Sequence, residues 1–196
     1  MDKKPITEIN AVAAVMDSVF QQVEDHWGQI WTPVEKNLVD SRVPVQKSDF
    51  IRFNYSLAVL AINFRGVFDL LPRSQAERLF THLQKLLRKQ LDNEEGYLAV
   101  QGTIMKYIEA YNAGILRIKN PVKEVAMLLY YKIGLENTEQ MVVDEAFFAP
   151  DPSFVEYLTN SLMMFVGKWD LLLNKYNLVG PHGASDQDNR RRPASN

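Results

Sequence analysis

The chain has 196 residues, a net charge of −2, 46% hydrophobic residues and no cysteine. That length suits one domain able to bury roughly 70% of its unfolded surface, so neither a disulfide nor a metal is needed for stability. Without cysteine, thiolate nucleophiles, disulfide frameworks and Cys-ligated zinc or iron–sulfur sites are excluded, and a reducing, cytoplasmic setting is the expectation.

Near the N-terminus, Glu8, Asn10 and Asp17 interrupt the apolar residues, which argues against a signal peptide. Ile9, Val12, Met16, Val19, Val23 and Ile30 recur at helical spacing and predict a first helix from about Thr7 to Trp31. Thr32-Pro33-Val34-Glu35 reads as a capping box, so Pro33 either kinks that helix or opens a short second one ending near Asp40. Residues 41–47, with Pro44, read as a loop.

Ser48 then caps a helix from Asp49 to about Leu71. Phe50, Phe53, Leu57, Leu60, Phe64, Val67 and Leu71 form one apolar line on it, and Ile51, Tyr55, Ala58, Val59 and Ile62 cover much of the rest. A helix apolar on most sides belongs in the interior, so this one is expected at the centre of the fold. Its apolar run from Leu57 to Phe64 is far shorter than the ~20 residues needed to span a bilayer, and no membrane association is expected.

Ser74-Gln75-Ala76-Glu77 is a second capping box and opens an amphipathic helix over 75–91, with Leu79, Leu83 and Leu87 inward and Arg78, His82, Lys85 and Lys89 outward. Asp92 with Glu95 caps the next helix, which Gly114 is expected to stop in a left-handed cap. Gly102 inside it suggests a close helix–helix approach. Asn120-Pro121 starts a helix to Ile133, Asn137 with Gln140 a shorter one to about Phe148, and Asp151-Pro152 a long one to Tyr176. No strand signal stands out. Residues 180–196 are almost entirely Gly, Pro, Ser, Ala and polar, and read as a disordered tail. The predicted fold is therefore all-α: one domain over residues 1–179, a bundle of about seven helices around the helix 49–71, followed by the tail 180–196.

Charge is unevenly spread. Residues 73–132 carry 10 basic and 6 acidic side chains, whereas 133–196 carry 5 and 9. Between Ile133 and Gly167 there are acids but no Lys or Arg. Asp144, Glu145 and Phe147 within that stretch combine acid with large apolar groups, as a protein-docking surface would. The basic middle lacks a helix-turn-helix or a strong overall excess of charge, so nucleic acid is not an expected partner.

Catalytic signals are missing. His26 lies on the apolar line of the first helix without a second ligand one turn away, His82 sits among basic residues, and His182 is in the tail. No Gly-x-Ser-x-Gly motif or phosphate-cradling loop is present. Neither a cofactor nor a metal is called for, and no enzyme class is indicated. On the helix 49–71, Arg65 could receive an anion, or pair with Asp69 one turn away; Arg52, Ser56, Asn54 and Asn63 also need partners if that helix is buried. The sequence thus predicts a non-enzymatic interaction or regulatory module that works through a helical surface, with a protein partner or a second copy of itself. The alternative is a small-ligand sensor or carrier whose pocket is lined by Trp27, Arg65, Met163, Met164 and Trp169.

Overall fold

In a computed structural model of the chain, the described residues are 3–40, 48–91, 93–117, 119–135 and 152–180. The expected loop 41–47, helix 137–148 and tail 181–196 lie outside them, as do the Asp92 and Asp151 caps and His182. The described residues are mostly helical. In chain order they form β1 (Lys4–Thr7), α1 (Glu8–Asp40), α2 (Ser48–Leu70), α3 (Arg73–Gln90), α4 (Glu94–Leu116), α5 (Pro121–Leu135), α6 (Pro152–Met163), α7 (Lys168–Lys175) and β2 (Tyr176–Val179). No helix among them is long and apolar enough to cross a membrane.

Apolar periodicity built the core as expected. Val12, Met16, Val19, Val23, Trp27 and Ile30 of α1 are buried, α1 packs on both α2 and α3, and residues 54–64 of α2 are buried on every side. The same helix also packs on α3, α4, α5 and α7. Its two ends are wetter: Phe53 is 41% exposed near the start and Leu70 43% at the finish.

Five local expectations need correction. First, α1 runs unbroken through Pro33. Proline removes the donor that would reach the Gln29 carbonyl and crowds that turn. The Tyr157 hydroxyl of α6 reaches in instead, donating to Gln29 O at 3.4 Å and Ile30 O at 3.2 Å. Thr32 caps nothing there; its hydroxyl donates back to Gly28 O at 3.1 Å.

Second, α3 begins at Arg73 after Pro72, without a side-chain cap, and Glu77 bonds Arg73 at 2.8 Å. Third, Asn93 caps α4, its Oδ1 accepting from Gly96 N at 2.5 Å. Fourth, Gly114 does not stop α4, and among the described residues of the single chain Gly102 marks no close approach. A Cβ on Gly114 would lie 2.6 Å from Pro121 Cα, so this glycine lets the start of α5 cross α4, whereas a Cβ on Gly102 would meet nothing within 4 Å. The Asn120-Pro121 signal held: Asn120 Oδ1 accepts from Val122 N at 3.0 Å and Lys123 N at 3.3 Å.

Fifth, the long C-terminal helix is divided. After Met163 the chain turns, Gly167 takes a left-handed φ of 85°, and α7 starts at Lys168. The chain then extends, and Tyr176–Val179 pairs in parallel with Lys4–Thr7, Lys4 opposite Tyr176 and Thr7 opposite Val179. This two-stranded ribbon was not expected. Its four-residue strands are too short for an alternation signal to emerge, and their pairing joins residues more than 170 positions apart.

Candidate functional site

The polar groups of α2 needed partners if that helix was buried, and each has one. Asn63 donates to Val59 O and Phe165 O, both at 2.9 Å, and its Oδ1 accepts from Lys168 N at 3.0 Å. One side chain therefore holds both ends of the α6–α7 turn and satisfies a free N–H of α7, where helix geometry supplies no acceptor. Ser56 donates to Arg52 O and Asn54 to Phe50 O, one turn back in each case. Tyr55 donates to Ser161 Oγ at 3.0 Å; burial pushes its hydroxyl above the ordinary tyrosine range, the Ser161 bond pulling it the other way.

Arg65, the candidate anion receptor, is already engaged. Its Nε donates to Asn112 Oδ1 at 2.5 Å and its NH1 to Asp69 Oδ1 at 3.0 Å. Its guanidinium also lies 5.8 Å from the Tyr111 ring centre. Burial, and then the Asp69 charge, raise the Tyr111 hydroxyl above its usual range, while Arg65 opposes them. Arg52 spans Glu24 at 2.7 Å and Asp49 at 2.9 Å.

The other expected lining residues do not converge on Arg65. Trp27 donates its indole N–H to Ser48 Oγ at 2.8 Å and stacks obliquely on Trp31 at 5.9 Å. Trp169 is buried edge-on against Phe64 at 5.4 Å, and its Nε1 has no hydrogen-bond partner among the described residues. Met163 and Met164 are exposed, at 51% and 61%. The docking candidates Asp144, Glu145 and Phe147 lie outside the described residues.

Two charged groups are buried that the sequence did not single out. Glu8, 2% exposed in the first turn of α1, receives Arg78 of α3 through both oxygens, NH2 to Oε1 at 2.9 Å and Nε to Oε2 at 3.1 Å. His82 Nε2 stands 3.7 Å from the same carboxylate, too far for a normal hydrogen bond. Arg78 and His82 therefore flank the core edge and do not form a purely solvated face. The helix N-terminus and the two-pronged Arg78 contact both favour a carboxylate at this place. The signal available in the sequence was the i, i+4 spacing of Arg78 and His82, but nothing local identified Glu8 as their target. Beside them is a notch of about 60 Å³ lined by Thr7, Glu8, Ile9, His82, Val179 and Gly180, far below the ~300 Å³ at which small-molecule sites begin.

The second is Lys168, whose Nζ donates to Gln22 Oε1 and lies 5.9 Å from the Phe165 ring. Desolvation lowers its pKa below the ordinary lysine value. His26 packs edge-on against the other side of this corner, 5.8 Å from Phe165, with Nδ1 2.8 Å from Gln22 O. A carbonyl can only accept, so Nδ1 carries the proton, and among the described residues no carboxylate joins the ring to make an acid–base pair. Among the described residues no group of three or more His, Asp or Glu could hold a metal.

Apolar residues are also open to solvent on an outer face of α4. Leu98 is 55% and Met105 36% exposed, with Gly102 exposed between them. At 100° per residue these three positions and Glu109 fall within an arc of about 60°. Compared with protein-family models, curated proteins and solved structures, the chain gives no match.

Proposed function

We propose that the chain is a non-enzymatic interaction module: one bundle of about seven helices organised around α2, with its partner docking on a helical surface. The observation that carries this reading is the face of α4 that turns Leu98, Gly102 and Met105 to solvent along one line of the helix. Exposed apolar positions aligned on a helix and bordered by charge are what a protein partner covers.

The partnering of the α2 polar groups supports it as well. A carrier needs unspent donors in a cavity, whereas Arg65, Asn63 and Trp27 already bond to other parts of the chain. Native mass spectrometry of the purified full chain tests the reading. The expected spectrum contains the bare polypeptide and its protein complexes; a small molecule retained at one per chain would replace the module with a carrier.

A further inference from the structure

We propose that the α4 face pairs with the same face of a second copy, antiparallel, about a two-fold axis between Val100 and Gln101. The inference rests on the interaction-module reading and names its partner. Among the described residues, neither Glu95 nor Lys106 has an ion-pair partner, although both are exposed along one edge of this face.

In the antiparallel register centred there, Glu95 of one copy stands opposite Lys106 of the other, and the symmetry makes that pair twice. Ala99 then faces Gly102 of the second copy, also twice. These two small residues allow the helix axes to come to the short end of the usual 8–10 Å range. The open space above Gly102, where a Cβ would touch nothing within 4 Å, is filled by the facing helix. Leu98 and Met105 flank this contact and supply the apolar area. The chain's own 136–151 segment is a poorer occupant by charge. It contains Glu136, Glu139, Asp144, Glu145 and Asp151 and no Lys or Arg, and would meet Glu94, Glu95 and Glu109 on α4.

About three turns of helix bury less than a standard interface, so association in the range of tens to hundreds of micromolar is expected. Sedimentation equilibrium from about 10 μM to 1 mM reads it directly. Lys106→Glu should weaken the dimer about tenfold by setting carboxylates opposite one another, and Glu95→Lys should do the same. The double variant Glu95→Lys/Lys106→Glu should recover to within about threefold of the parent. Gly102→Leu should abolish dimerisation while its melting temperature stays at or above the parent's, because the site is empty in the single chain and leucine favours helix. A monomer at 1 mM overturns the pairing, as does a dimer indifferent to all four variants. Neither result touches the broader module reading, which falls only if the chain is found to retain a small molecule.

Discussion

At Pro33 a helix continues and after Met163 one stops, although proline is by far the strongest breaker of helical hydrogen bonding. The two sites differ in what neighbouring helices offer them. Tyr157 brings a donor to the carbonyls left free around Pro33, so α1 can run on. Asn63 brings both a donor and an acceptor to the 165–168 corner, so the turn there is as well satisfied as a helix would be. Helix continuity in this chain is decided by where the backbone's hydrogen bonds can go, and in both places a side chain more than 100 positions away supplies the answer.

Phe64→Ala gives the largest expected effect, because Phe64 is fully buried and holds Trp169 of α7 edge-on just beyond the corner. A loss of about 3–5 kcal/mol by denaturant titration is expected; a near-neutral result would show that α7 is anchored by something other than α2.

Asn63→Ala strikes the corner itself. It leaves the Phe165 carbonyl and the Lys168 N–H buried without their partner, and should cost about 2–3 kcal/mol. Asn63→Asp keeps the acceptor for Lys168 N–H but loses the donor to Phe165 O, so its melting temperature should not exceed the parent's. Equal stability of parent and Asn63→Ala would mean that Asn63 does not hold the break between α6 and α7.

Tyr157→Phe is the corresponding test at Pro33, with an expected loss of about 1 kcal/mol. The sharper measurement is a cycle with Pro33→Ala. Alanine restores the N–H that reaches Gln29 O, so Tyr157→Phe should cost less in that background than in the parent. Equal costs in the two backgrounds would mean that the hydroxyl does not compensate the proline.

The smallest effect is electrostatic and concerns Lys168, at the end of the corner. Its pKa is lowered by desolvation from an ordinary value of 10.5, so in the window just below 10.5 the unfolded chain binds the proton more strongly than the folded one. Stability from this group therefore rises with pH through that window, and at neutral pH its burial as a cation is a cost. Lys168→Met should melt at or slightly above the parent temperature at pH 7, and the parent should gain on it as the pH approaches 10. A parent that loses ground to Lys168→Met over that range would contradict the assigned direction.

Amphipathic spacing was enough to place most of the helices and most of the core, because burial of an apolar stripe is a local pattern with a helical period. The Asn120-Pro121 start was legible for the same reason: the cap and its acceptors lie within three residues. The Arg65–Asp69 pair was legible too, as an i, i+4 contact. Less could be read of the candidate surface. Leu98 and Met105 look like any other apolar residues of α4 until α2, α3 and α5 have taken the remaining sides of that helix, and only then does their face stand unpartnered.

By itself, then, the sequence determined the mostly helical character, the buried faces of α1 and α2, and the helix start at Asn120-Pro121. The tertiary structure decided that α1 passes through Pro33, that the last helix divides at Gly167, that Glu8 is the target of Arg78, and that residues 4–7 pair with 176–179. Each of these depends on a hydrogen bond or ion pair between residues at least 70 positions apart, and no local pattern encodes which distant donor will reach a free acceptor once the chain has packed.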